Sequence, residues 1–246
     1  DLLDLDAVSP AASGTAAIVH IGAIGDVYLA GENPALASSV NVTGSANIAS
    51  AAKANDARVV YASTWEVYGT PIAEVITEEH PCEPDHPYNI TKLAGERILL
   101  AADHLQDVPT VALRLGTAYG TGLRSNSVFR IFIDKARNQE PITIQGDGSQ
   151  FRQFTHSDDI ARAFALASRS ELRNEVFNIV APEPISIKQL AEVVVARYPT
   201  EISFTEARPG DVAPAMVSSE KAGRLLGWEP EVGFEDGMGR LMDADE

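Results

Sequence analysis

The run Arg58-Val59-Val60-Tyr61-Ala62 leads into Ser63-Thr64 and has apolar side chains on both of its alternating faces. Such a run is too short for a helix and reads as a strand covered on both sides. Upstream of it, residues 36–54 form an Ala-rich helical stretch. Downstream, residues 87–104 repeat apolar side chains at helical spacing. Residues 16–20 (AAIVH) and 110–115 (TVALRL) read as two further buried strands. Apolar strands alternating with amphipathic helices predict an α/β fold, a doubly wound parallel sheet with helices on both faces.

Beyond Tyr119-Gly120 the texture changes. A helix is expected over 128–137, short strands over 142–144 and 152–155, and a helix from the Ser157-Asp158-Asp159 cap to 167. Residues 176–180 read as a strand and 186–198 as a helix stopped by Pro199. Two short helices near 218–226 and 234–242 complete the chain. This predicts a sheet domain over 1–120 and a smaller α+β substrate-binding region over 121–246, with some of its segments returning to the sheet.

Composition narrows the function. The chain has 246 residues, 35 acidic against 19 basic, and a formal net charge of -16. A surface this acidic lacks the basic stripe that nucleic acid or an anionic membrane needs, so neither is an expected partner. An anionic ligand would need a local pocket of arginines and backbone N–H groups. The single cysteine, Cys82, excludes an internal disulfide and a cysteine zinc site, and the five histidines lack metal-ligand spacing, so no metal is expected. No apolar run is long enough to span a membrane, and the cytoplasm is the expected location.

Tyr88 and Lys92 stand four residues apart on the predicted 87–104 helix, hence on one face. The spacing suits an exposed pair. It also suits an acid/base pair in which an ammonium lowers a phenol's pKa towards neutrality. Position favours the second reading. Tyr88 follows Pro87 at the helix start, and Ala62-Ser63-Thr64 ends a strand where ligands bind in open parallel sheets.

At this point the sequence resembles the extended short-chain dehydrogenases, specifically the NAD-dependent nucleotide-sugar epimerases and dehydratases. Seven segments carry the likeness in order. They are Ile18-Val19-His20-Ile21-Gly22-Ala23, Asn41-Val42-x-Gly44-x-x-Asn47, and Tyr61-Ala62-Ser63-Thr64 through Val67-Tyr68-Gly69. Then come Leu113-Arg114-Leu115 through Tyr119-Gly120, Gly146-Asp147-Gly148 with Arg152-Gln153-Phe154, Arg208-Pro209-Gly210-Asp211, and Leu225-Leu226-Gly227-Trp228-Glu229-Pro230.

The resemblance implies NAD as cofactor, held by Asp1, Leu2, Ile21, Gly22, Ala23, Asn41, Ala62, Ser63, Tyr88, Lys92, Leu115 and Gly116. It implies that Tyr88 takes the proton from a sugar hydroxyl and that Lys92 lowers its pKa and holds the nicotinamide ribose. Thr64 would bond the reacting oxygen. Thr117 and Ser127 would contact the substrate, and Arg152 and Arg208 would clamp its diphosphate. Glu66 resembles the carboxylate that dehydratases and UDP-glucuronate decarboxylases use, but Trp65 stands where dehydratases have Asp. It is therefore either catalytic or a carboxylate paired with a basic neighbour.

The expected reaction is 4-epimerisation of a UDP-sugar through a transient 4-keto intermediate, with 4,6-dehydration or UDP-glucuronate decarboxylation as the alternative. A homodimer of the full-length protein is implied by the family alone. The resemblance also implies that a strand, a glycine-rich turn and a helix precede Asp1 in a longer parent protein. The 16–20 strand is then expected at an apolar sheet edge. In the other reading the chain is a non-catalytic sugar-nucleotide-binding remnant, which saturable NAD binding would eliminate.

Overall fold

The computed structural model describes residues 1–206 and 215–244. Four parallel strands form its centre: β1 (Ala17–His20), β2 (Arg58–Thr64), and two later strands at Thr110–Leu115 and Glu175–Ile179. Between and around β1 and β2 run α1 (Leu5–Ala11), α2 (Val27–Glu32), α3 (Pro34–Ser38) and α4 (Gly44–Asn55). A single 3-10 turn, Trp65–Tyr68, follows β2, then β3 (Val75–Ile76), α5 (Pro87–Gln106), β4 (Thr110–Leu115) and β5 (Thr117–Tyr119).

The rest comprises α6 (Val128–Arg137), β6 (Ile142–Gln145), β7 (Phe151–His156), α7 (Ser157–Arg169), β8 (Glu175–Ile179) and β9 (Pro184–Ser186). It ends with α8 (Ile187–Arg197), β10 (Ile202–Thr205), β11 (Met216–Val217), α9 (Glu220–Leu226) and α10 (Phe234–Ala244).

The central sheet runs β1-β2-β4-β8. Alternation along each strand divides its side chains between two cores. Val60, Ala62, Val111 and Leu113 pack with Ile160 and Phe164 of α7 and with Trp228. Val59, Tyr61 and Ala112 pack with Ile48 of α4 and Leu99 of α5. This is the doubly wound α/β arrangement expected from the apolar runs. β1 lies at the sheet edge with Val19 exposed. The later part of the chain returns to this sheet through β8, α7 and α9, while a third core around Phe129, Ile133, Phe154, Leu190 and Phe234 lies in the smaller region.

Two local features differ from the sequence expectation. The stretch read as one helix over 36–54 is broken by a π turn at Ser39–Thr43, where the Gly44 N–H donates to the Ser39 carbonyl. π turns recur at functional sites, and this one carries Asn41. Gly95, on the inner face of α5, allows the second close approach. A Cβ there would come 2.7 Å from both Ser45 Oγ and Tyr61 Oη.

Candidate active site

The site lies at the carboxyl ends of β2 and β4, where Thr64 and Leu115 are register partners. Thr64 turns the chain: its Oγ1 accepts the Glu66 N–H at 3.3 Å and opens the 3-10 turn. α5 begins opposite. Pro87 takes the first turn, and His86 Nδ1 caps the helix by accepting the Tyr88 N–H at 3.2 Å. These two termini bring the Tyr88 phenol beside the Thr64 hydroxyl, near enough for Thr64 to act on its protonation.

One turn on, Lys92 is buried, with its ammonium 4.3 Å from the centre of the Tyr61 ring. Burial drives its pKa down to about 7, and the Glu96 carboxylate opposes that fall. The ammonium makes no hydrogen bond among the described residues. His20 lies close by, 3.1 Å from Ser45 Oγ; burial, then the Lys92 charge, hold its imidazole down at about 4. Tyr88 does not show the lowered pKa expected of it. Burial, then the Glu66 carboxylate, push its phenol up to about 12, and only Thr64 and Arg124 act in the other direction. A phenol in a site this dry stays protonated where burial and a nearby carboxylate outweigh the cations around it.

Asn41 ties three elements together. Its Oδ1 accepts the Ile24 N–H at 2.7 Å, and its Nδ2 donates to the Ile24 carbonyl at 3.1 Å and to Thr91 Oγ1 at 2.9 Å. The loop after β1, with Ile21 exposed and Gly22 and Ala23 following, is thereby pinned to α5. Gly22 faces Leu2, where an added Cβ would come 3.1 Å from Leu2 Cδ1. Leu2 is anchored to α4 by Asn47 Nδ2, which donates to its carbonyl at 2.8 Å, whereas the Asp1 carboxylate closes a local turn by accepting the Leu3 N–H. Ala62 is buried within β2. Gly116 lies against Thr155 and Val180, so close that a Cβ would meet Thr155 Oγ1 at 3.0 Å.

On the substrate side, Glu66 and Arg152 face each other: burial raises the Glu66 pKa and the Arg152 charge opposes the rise. Thr117 is half-buried on β5, paired with Phe154 of β7. Ser127 is occupied locally, its hydroxyl capping α6 by accepting the Arg130 N–H at 3.2 Å. Arg208 and its Arg-Pro-Gly-Asp segment lie outside the described residues.

Several site residues were not evident in the sequence. Arg124 reaches from the 121–127 loop to the Gly25 carbonyl at 3.2 Å and to Asp26 at 3.6 Å, and its charge acts on Tyr88. Ser63, singled out in the sequence, donates to Glu96 Oε2 at 2.6 Å, a partner that its position along the chain did not reveal. Gln153 is held in place through its amide. Nε2 donates to the carbonyls of Ala181 and Val217, and Oε1 accepts the Val217 N–H. A carboxylate could not supply those two donors.

The residues fit the nicotinamide end of a dinucleotide. A buried ammonium with no hydrogen-bond partner suits ribose hydroxyls, and the Asn41-held loop and Gly116 leave backbone uncovered beside it. Among the described residues there is no cluster that could hold a metal ion, and no helix is long and apolar enough to cross a membrane.

Comparison with known proteins agrees with this geometry. The sequence pattern of the NAD-dependent epimerase/dehydratase family matches residues 1–180. The UDP-glucuronate 4-epimerase of Thermodesulfobacterium geofontis is 32% identical over 235 residues, covering 92% of this chain and 71% of that protein. The solved UDP-glucose 4-epimerase of Thermotoga maritima with UDP-glucose superposes with a TM-score of 0.92 at 25% identity, covering 99% of this chain and 82% of that one. The UDP-glucuronic acid 4-epimerase of Bacillus cereus, solved with UDP-glucuronic acid and NAD, has a TM-score of 0.89 at 28% identity, covering 99% and 79%. The chain belongs to the NAD-dependent epimerase/dehydratase family and is an NAD-dependent enzyme.

Proposed function

We propose that this protein interconverts the C4 epimers of a UDP-hexose. The observation that carries the reading is the Tyr88 phenol lying beside Thr64, one helical turn from a Lys92 ammonium that makes no hydrogen bond among the described residues. NAD, when bound, accepts hydride from the sugar carbon and returns it. Tyr88 takes the hydroxyl proton and gives it back, and Thr64 orients the same oxygen. Lys92 and Arg124 supply the positive charge that must offset burial and Glu66 before Tyr88 can act as base. Arg152, with Arg208, suits the diphosphate oxygens. The relatives act on UDP-glucose and UDP-glucuronate, and a UDP-linked hexose is the substrate class proposed here.

A second reading has one observation in its favour. Glu66 is half-buried and its pKa is raised by that burial, as for a group transferring protons beside a ketone. Product analysis with UDP-glucose, UDP-glucuronate and dTDP-glucose separates the two. The expected products are the C4 epimers; a 4-keto-6-deoxy sugar would establish dehydration, and a pentose decarboxylation. Glu66→Gln then decides the role of that side chain. In an epimerase it keeps turnover within about threefold, because loss of its charge eases Tyr88 ionisation. A role in general acid/base transfer would lose about 10²-fold or more.

We also propose that the full-length protein pairs through α5 and a neighbouring helix. Ile90 on α5 and Val27, Tyr28 and Leu29 on α2 leave an apolar face exposed. Light scattering giving twice the chain mass is expected, and a monomer at micromolar concentration would exclude it.

A further inference from the structure

Beneath Lys92 lies a buried ionic cluster that the proposed reaction does not use. Tyr88, Lys92 and Glu96 follow one another at four-residue spacing and share a face of α5. Glu96 is fully buried. Its Oε2 accepts from Ser63 Oγ at 2.6 Å and from Arg114 Nε at 3.1 Å, and its Oε1 from Arg114 Nη2 at 2.7 Å. Ser63 and Arg114 are register partners across β2 and β4, so the strand pairing itself aims both donors at one carboxylate. The guanidinium lies 4.7 Å over the Tyr68 ring, and its Nη1 has no hydrogen-bond partner among the described residues.

Stability does not account for this arrangement. Replacing a buried ion pair by packed apolar side chains is often neutral or stabilising, and an orphaned Nη1 adds to the cost. The surroundings of Lys92 offer a different account. The groups facing it are His20 from β1, Tyr61 from β2, Tyr88 and Glu96 from α5, and, behind Glu96, Arg114 from β4. Burial keeps His20 uncharged at neutral pH, and it pushes Tyr61 and Tyr88 up, so both phenols are uncharged as well. Among the described residues, Glu96 is left as the anion acting on the ammonium.

We propose that Glu96 is a positioning residue whose charge, kept in place by Arg114 and Ser63, holds Lys92 in its ammonium form at the active site. This rests on the reading of Lys92 as the cation that works with Tyr88. Arg114 can serve because burial works against its charge while Glu96 outweighs burial and keeps its pKa above the ordinary value. Ser63 adds a donor that favours the carboxylate over the acid.

The test follows the Lys92 proton directly in the ligand-free protein, so it needs neither NAD nor turnover. The chain has only five lysines, Lys53, Lys92, Lys135, Lys188 and Lys221. Their side-chain resonances in lysine-labelled protein are therefore resolvable, with Lys92→Arg assigning the signal. Glu96→Gln is expected to move the Lys92 midpoint down by about one pH unit, a tenfold weaker hold on the proton. Glu96→Gln leaves Arg114 buried without its anion, so the doubly neutral Glu96→Gln/Arg114→Met protects the measurement against unfolding. A smaller downward movement is expected there, because the repulsion from the Arg114 charge is removed together with the attraction of Glu96. An unchanged midpoint in either folded variant would overturn the proposal, whatever Tyr88→Phe does to turnover.

Discussion

Tyr88→Phe lowers turnover of the NAD-loaded enzyme by about 10²–10⁴-fold, the range over which a positioned acid/base acts, and leaves UDP affinity within a few-fold. The substitution removes one oxygen and keeps the ring. The hydroxyl it deletes lies beside Thr64, and even a full hydrogen bond there would contribute only about 1 kcal/mol, so α5 and its His86 cap remain. A fall in kcat with an unchanged dissociation constant for UDP, measured by calorimetry, marks a group that acts in the reaction rather than in binding. Full turnover by the variant would end the proposed mechanism. Tyr88 also sets a condition on the working complex. Its phenol, pushed up to about 12 by burial and Glu66 in the ligand-free chain, has to ionise more easily with NAD bound. The difference in phenol absorbance between wild type and Tyr88→Phe is expected to shift to lower pH when NAD is added.

Arg114→Met costs about 3–5 kcal/mol of stability, because it strands the Glu96 carboxylate in the interior. Arg114 is 2% exposed and Glu96 is not exposed at all, so water cannot replace the lost donors. Whole domains are stable by only about 5–15 kcal/mol, and a loss of this size takes much of that margin. Urea denaturation of the folded chain measures it, and Glu96→Gln in the same molecule is expected to recover most of the loss. A cost below about 1 kcal/mol would mean that the pair is reached by solvent.

The central strands could be read from the sequence because a parallel sheet covered on both faces demands unbroken apolar runs. β2 and β4 appear at their expected places, and α5 extends two residues past the expected 87–104. Short elements were not legible. α1 and α2 span 7 and 6 residues, too few to repeat an apolar period, and β3 and β11 are two-residue pairings made across the fold. The π turn at Asn41 was hidden in an Ala-rich stretch that is helical by composition, because what breaks the helix is Ile24 and Thr91, contacts distant in sequence.

Order and spacing along the chain were enough to single out Thr64, Tyr88 and Lys92, since two element termini and one helical turn bring them together. Charge state was not available in that way. The spacing suggested a phenol made acidic by its lysine, whereas burial makes Tyr88 less acidic and leaves Lys92 close to losing its proton. Ser127 and Gln153 show the same limit, for a hydroxyl that caps a helix and an amide that stitches two loops look free in a sequence. Arg124 is an exposed loop arginine until the fold sets it against Asp26 and Tyr88.

By itself, then, the sequence determined the parallel sheet, its helices and the shared face of Tyr88 and Lys92 on α5, because each depends on patterns within one segment. Only the tertiary structure decided which carboxylate meets which cation. Glu96 finds Arg114 and Ser63 through strand pairing, Glu66 finds Arg152 across two regions, and Lys92 is left without a hydrogen-bonding partner. Burial and long-range electrostatics come from the whole fold, so the protonation of this site could not be read along the chain.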